Sequence, residues 1–359
     1  MSLGDALCVR LGIELPILQA PMAGSSGVAL AIAVAQAGGL GSLPAAMLTS
    51  GQLSEQIDEF RHATDTPLNV NFFCHSAPQV SAVQLDAWSA SLSRFDAELG
   101  VDRAGASAGS PRHPFDDEAC QLVERSRPEV VSFHFGLPAP ELVDRVRATG
   151  AVVMSSATTV AEAVWLVSHG CDVVIAQGAE AGGHRGMFLT ADVAAQPGTM
   201  ALVPRVVDAV TVPVIAAGGI ADGRGVAAAF VLGASAVQIG TAYLLCPEAL
   251  TPAVHRRALA GGSIDDTVLT NVFTGRPARG RRNRLTDELG PISPDAPAFP
   301  TAGAAVAPLR AAAEATGSGD FSPLWSGQAG VMTSDVPASD LTRRIMADAH
   351  QALANSSPP

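Results

Sequence analysis

Eight short apolar runs recur along this chain, and most are followed by a helical pattern. They cover residues 15–22, 40–45, 68–73, 130–136, 151–156, 172–177, 212–218 and 236–241. Each is continuous rather than alternating, the pattern of strands buried on both faces of a parallel sheet. Strand and helix alternating eight times within about 240 residues is the arithmetic of a (β/α)8 TIM barrel. A doubly wound α/β sheet is the alternative. Against it, no G-x-G-x-x-G follows the first run, and no acidic residue closes a second strand.

The spacing predicts helices over 54–63, 140–149, 160–169, 200–210 and 223–232, and an Ala-rich helix that Ser25 or Ser26 caps and Gly38-Gly39 stops. Two segments exceed a minimal barrel. Residues 1–246 read as the barrel, interrupted after its third strand by an insertion, 74–129. The insertion carries helices near 80–99 and 116–126 around a Gly/Ser-rich loop, 105–110. Residues 247–359 read as a C-terminal extension packing over the barrel, with a Pro-rich connector (291–300), helices near 304–315 and 338–354 and a disordered tail, 355–359.

Residues 15–54 carry no charge, yet Pro16, Pro21, Gly38, Gly39, Gly41 and Pro44 interrupt them. A membrane-spanning helix needs about 20 continuous apolar residues, so this stretch reads as strand, helix and strand. The 34 acidic residues outnumber the 22 basic ones, for a formal net charge of −12. That balance disfavours nucleic-acid binding, which rests on neutralising phosphates. All the basic residues are arginine, which excludes lysine Schiff-base and Walker-type chemistry. Five cysteines (8, 74, 120, 171 and 246) show no metal-ligand spacing and read as reduced thiols in the cytoplasm. Asp5, Arg10 and Glu14 interrupt any leader.

Barrel active sites lie at the C-terminal ends of the strands. Those ends read Gln19-Ala-Pro-Met-Ala-Gly24, Asn71-Phe-Phe, Ser132-Phe-His-Phe-Gly136, Gln177-Gly-Ala-Glu-Ala-Gly-Gly-His184, Ala217-Gly-Gly-Ile-Ala-Asp222 and Gln238-Ile-Gly-Thr241. Gly218-Gly219 and Gly240-Thr241 stand after the last two strands, where barrels bind phosphate on bare backbone N–H groups. The phosphate belongs to a cofactor or a substrate; the plainer reading is tight turns. His184, beyond a Gly-Gly pair, is a general base or a surface-loop histidine. His134 interrupts an apolar strand and is a pocket residue or a hydrogen-bonded core histidine. The other six histidines read as solvated. Glu180 is a general acid or a loop cap. Arg276, Arg279, Arg281, Arg282 and Arg284 draw an anion or form an ion-paired face. No metal motif is present.

Together these strand ends resemble the nitronate monooxygenase family, formerly the 2-nitropropane dioxygenases. The resemblance covers most of the chain and is most specific in Gln177-Gly-Ala-Glu-Ala-Gly-Gly-His-Arg-Gly186. It extends through Gly275-Arg-Pro-Ala-Arg279, Asn283-Arg284 and Leu324-Trp-Ser-Gly-Gln328, the last similar to the class I branch. It implies a TIM barrel holding non-covalent FMN, with flavin-binding positions at Gln19, Met22, Asn71, Gln177, Gly182, Gly218, Gly219, Gln238, Ile239, Gly240, Thr241 and Ala242. It implies catalytic roles for His184 and His134. The implied reaction takes one electron from an alkyl nitronate and lets the radical react with oxygen, giving a carbonyl compound plus nitrite or nitrate. A neutral nitroalkane would first lose its α-proton to the histidine. Class I relatives line the pocket with tyrosines and a lysine; here Tyr243 is the one tyrosine, Phe299 stands in Ala298-Phe-Pro300, and lysine is absent. Two other expectations share the barrel: an NAD(P)H-dependent quinone or enoyl-acyl-carrier-protein reductase, and a flavin-binding protein without turnover.

Overall fold

A computed structural model describes residues 4–103, 112–261, 266–330 and 334–356. The Gly/Ser-rich loop 105–110 lies outside these residues. Among them are strands β1 (Ile17–Gln19), β2 (Gly41–Pro44), β3 (Leu68–Phe73), β4 (Val130–His134), β5 (Val152–Ala157), β6 (Val173–Gln177), β7 (Gly183–His184), β8 (Val214–Ala217), β9 (Ala236–Ile239), β10 (Thr267–Thr270) and β11 (Ala278–Arg281).

Eight of these form one parallel sheet in the order β1-β9-β8-β6-β5-β4-β3-β2. The ends meet: Leu18 bridges Leu40 in parallel, and Gln19 N–H donates to the Leu40 carbonyl at 2.9 Å. The sheet is therefore a closed TIM barrel, as the eight runs predict. Its interior is apolar, from Leu18, Leu40, Met154, Ile175 and Ile215, and helix Asp5–Leu11 plugs its lower end with Leu7 and Leu11. That helix has no counterpart among the sequence expectations. Closure below leaves the C-terminal mouth for ligands.

Two local expectations are corrected. Helix Val28–Gln36 is capped by Gly27 without a side-chain bond, because the Ser26 hydroxyl is engaged with Met22 N–H and C=O instead. Helix Ser50–Ala63 begins earlier than its apolar pattern, at a capping box between Thr49 and Gln52.

The insertion and the extension share a core. Trp88, Leu92 and Phe95 of helix Ala82–Leu99 pack with Val306 and Leu309 of helix Ala302–Ala315 and with Phe273 and Phe321. Trp88 Nε1 donates to the Ala302 carbonyl at 3.1 Å. Burying each such side chain contributes about 1.5–3 kcal/mol. The last helix, Ala338–Ser356, lies against helix Gly223–Val231 so closely that a Cβ on Gly223 would stand 2.4 Å from Ala349 N. This helix includes the first two residues expected to be disordered; 357–359 lie outside the described residues.

A second sheet, β10-β11-β7, is antiparallel. It pairs His184 with Ala278 and bridges Gly280 to Trp325. The extension is thus stitched to the loop after β6. No helix among the described residues is long and apolar enough to cross a membrane.

Candidate active site

The barrel mouth holds a cavity of about 1370 Å³, counting the part open to solvent. Its position at the C-terminal ends of the strands is where barrels take their ligands. Met22, Asn71, His134, Gln177, Gly182, His184, Gly218, Gly219, Gln238, Gly240 and Thr241 all line it.

Three expected positions do not line it. Gln19 is fully buried; its Nε2 donates to the Ala20 carbonyl at 2.6 Å and its Oε1 accepts from Ser42 N–H at 2.9 Å. Ile239 points away between Gln238 and Gly240, as strand alternation requires, and packs with Ala242 in the core outside the barrel.

The glycine turns are backbone constructions. Gly218 and Gly219 have φ of 113° and 71°, the left-handed region that favours glycine. A Cβ on Gly240 would sit 3.2 Å from Ala20 Cβ and 3.4 Å from Met22 Sδ. The 3-10 turn Thr241–Tyr243 follows, and the first N–H groups of such a turn lack internal acceptors. Gln238 Oε1 is buried without a hydrogen-bond partner. A bare cradle beside an orphaned acceptor fits a flavin, which carries both a phosphate and ring N–H donors.

The histidines belong to one network. Gln177 Nε2 donates to the His184 carbonyl at 3.0 Å, and its Oε1 accepts from Gly186 N–H at 2.8 Å. This side chain therefore brackets the His184 loop. His134 Nε2 donates to the same His184 carbonyl at 3.1 Å, so its Nδ1 accepts from the Ser156 hydroxyl at 3.0 Å. Burial pushes His134 down to about 3. Burial, then the charge of Arg112, holds His184 well below the usual histidine range. Both rings are neutral at pH 7. His184 Nε2 lies 3.0 Å from Thr274 Oγ1, whose hydroxyl donates to the Arg276 carbonyl at 3.4 Å. That assigns the proton to Nε2 and the lone pair to Nδ1.

Around His184 stands an aromatic cage. Its ring centroid is 5.2 Å from Phe299, 5.5 Å from Trp325, 6.0 Å from Phe135 and 6.2 Å from Phe73. Phe135 sits at φ 74°, a costly conformation for a bulky residue. Two histidines expected to be solvated are buried: His75 packs 4.8 Å from Phe299, and His255 lies in the extension. Burial lowers each to about 4.

Glu180 is a loop cap: its carboxylate accepts from Thr199 N–H at 2.8 Å and Thr199 Oγ1 at 2.9 Å. The arginine run divides. Arg284 pairs with Glu98 at 2.6 Å and Arg282 with Asp287 at 2.8 Å. Arg276 donates to the Met187 carbonyl and lies 3.9 Å above the Phe135 ring, and Arg279 donates to the Ala179 carbonyl at 2.9 Å. These two tie the extension to the His184 loop. Among the described residues, no cluster of three metal-ligating side chains forms.

Arg112, Ser156, Thr274 and Trp325 join the site without having been singled out as functional side chains. Ser156 ends the fifth run and was open to the strand-end rule. Arg112 and Thr274 come from the insertion and the extension, where no positional rule applies.

The comparisons with known proteins agree with this geometry. The family model described as nitronate monooxygenase matches residues 5–348. A nitronate monooxygenase of Pseudomonas aeruginosa is 42% identical over 344 residues, 95% of this chain and 98% of that protein. The crystal structure of nitroalkane oxidase from Streptomyces ansochromogenes superposes with a TM-score of 0.89 at 37% identity, covering 98% of this chain and all of that one. FabK from Thermotoga maritima follows at a TM-score of 0.74 and 28% identity, covering 98% and 97%.

Proposed function

The chain belongs to the nitronate monooxygenase family, and from that premise we propose that it is an FMN enzyme that oxidises alkyl nitronates with oxygen. Neutral nitroalkanes are its slower substrates, and the products are a carbonyl compound with nitrite or nitrate. The observation that carries this reading is His184: an imidazole in an aromatic cage, in the same cavity as the glycine turns.

Bound FMN would supply the one-electron chemistry. Gly218, Gly219, Gly240 and Thr241 would hold its phosphate, and Asn71, Gly182 and Gln238 would contact the rest of the molecule. Met22 would lie against it. Among the described residues the cradle is single, and the sequence holds no dinucleotide fingerprint, which favours FMN over FAD.

The protein's own groups then do the following. The cage excludes water and positions the alkyl part of the substrate. His184 Nδ1 takes the α-proton of a nitroalkane, while Thr274 keeps Nε2 protonated. His134 and Gln177 fix the backbone of that loop and are positioning residues. A base held so far below its ordinary range is free at pH 7 but weak. The site is therefore better suited to a substrate that arrives already deprotonated. We also take residues 1–246 as the barrel unit and 247–359 as the extension that completes its mouth, in a cytoplasmic enzyme whose five cysteines are free.

The test is direct. The cofactor released by heat should chromatograph as FMN, and aerobic ethyl nitronate should yield acetaldehyde. Recovering FAD, or rapid anaerobic bleaching by NADH with no nitronate turnover, would overturn the reading.

A further inference from the structure

The cavity contains one charged side chain that the mechanism above does not use. Among the described residues that line it, Arg112 is the sole arginine, and there is no aspartate or glutamate. No described carboxylate pairs with it, and the adjoining residues 104–111 contain no acid. Its guanidinium carbon lies 5.8 Å from the Phe299 ring, and that ring is 5.2 Å from His184.

A second feature adds to the same potential. A Cβ at Gly303 would stand 3.9 Å from Arg112 Nη1, which puts the guanidinium at the first turn of helix Ala302–Ala315. Thr301 offers this helix no side-chain cap, and its first turn holds no acidic residue. A cation at the positive end of a helix dipole is unfavourable unless an anion joins it. In a protein of net charge −12, this convergence of positive charge inside a substrate-sized cavity is a local reversal of sign.

We propose that Arg112 is a specificity-determining residue that receives the substrate's negative charge. Its planar fork matches a planar oxyanion through two parallel N–H···O bonds. The oxyanion is the O–N–O group of the nitronate or a carboxylate on its tail. The residue selects the anionic substrate over the neutral nitroalkane. The identity of the substrate rests on the nitronate reading; the anion site does not.

The experiment uses the intact protein and calorimetric titration with two inert anions. Nitrate represents the nitronate head and butyrate a tail carboxylate. At least one should bind, and Arg112→Gln should weaken that binding by about tenfold or more, with cofactor content unchanged. Arg112→Lys keeps the charge without the fork and should recover part of the loss. The kcat/KM values should follow. A loss on both ethyl nitronate and propionate 3-nitronate assigns Arg112 to the nitronate head; a loss on the second alone assigns it to the tail. Wild-type protein that binds neither anion, or an Arg112→Gln variant that matches wild type in binding and KM, would overturn the proposal. Should the wild type oxidise no nitronate yet bind anions through Arg112, the nitronate reading fails and the anion site stands.

Discussion

The turns after β8 and β9 and the histidine wall line the same cavity by opposite means. The turns present backbone: Gly218 and Gly219 are locked by positive φ, and Gly240 leaves space that a Cβ would fill. The wall presents side chains brought from far apart: Phe73 from β3, Phe135 from the end of β4, His184 from β7, and Phe299 and Trp325 from the extension. A backbone site tolerates little change at a few positions. A side-chain site can be retuned one residue at a time. The glycine turns therefore depend on a few backbone positions, while the wall depends on each side chain that builds it.

Thr241 joins the two. Its hydroxyl accepts from Gly327 N–H at 2.9 Å, so the β9 turn holds the segment that carries Trp325. Gly182 and Gly327 allow this approach: a Cβ on Gly182 would stand 2.5 Å from Gly327 N.

The largest effect should come from breaking the backbone wall. Gly219→Val places a branched side chain at φ 71°, with Glu180 Cβ 3.3 Å from the new Cβ. Left-handed strain of about 1–2 kcal/mol alone should not unfold a domain. We expect flavin retention to be lost entirely, read from the visible spectrum of the purified protein. Gly150→Val is the control for strain, with φ 93° and no neighbour within 4 Å of its Cβ. It should stay yellow. A fully loaded Gly219→Val protein would remove this turn from the cradle.

Next in size is the histidine wall. A general base is worth about 10²–10⁴-fold. His184→Asn should therefore cost nitroethane at least tenfold more in kcat/KM than ethyl nitronate, which needs no deprotonation. Equal losses would assign His184 to binding the nitro oxygens. Near-wild-type rates on both substrates would shift attention to His134.

The wall and the extension also carry an acid sensitivity that the glycine turns cannot have. His75, His134 and His255 are held near 4, 3 and 4 in the folded protein, against about 6.5 in an unfolded chain. Below pH 6.5 the unfolded chain binds the extra protons. Stability is thus complete above that value and falls as pH drops toward 4, by up to about 1.4 kcal/mol per pH unit for each histidine. Urea midpoints should fall steadily from pH 7 to pH 5. His255→Leu should flatten part of that slope. A midpoint constant over this range would mean that these rings are not held neutral.

Much of this contrast was legible in the sequence, and unevenly so. The β3 run at residues 68–73 is the observed strand, and the glycine turns follow from the rule that ties a barrel's site to its strand ends. The aromatic wall was less accessible. His75 follows Asn71-Phe-Phe73-Cys74, yet nothing local says that Phe299 will cover it. Arg112 acquires meaning only against a helix some 190 residues later. β7, two residues long, has no periodicity to detect, although it fixes the backbone of His184. Contacts set by chain order were readable, and contacts set by the docking of the extension were not.

The smallest expected effect is the most informative about that docking. Thr274 lies between Phe273, which packs in the shared core of insertion and extension, and Gly275, and it reaches His184 Nε2 at 3.0 Å. With the proton on Nε2, Thr274 Oγ1 accepts a hydrogen bond from it, and Nδ1 is left as the base. Thr274→Val keeps the shape and removes the hydrogen bond to His184, worth about 0.5–1.5 kcal/mol, together with the longer one to the Arg276 carbonyl. The imidazole would then be free to place its proton on either nitrogen, and part of the population would present no lone pair to a nitroalkane. We expect a two- to tenfold fall in kcat/KM on nitroethane, about the range that this energy allows, with ethyl nitronate less affected. Thr274→Ser should restore the rate. A valine variant equal to wild type on nitroethane would show that the extension contributes shape to this wall and not proton placement.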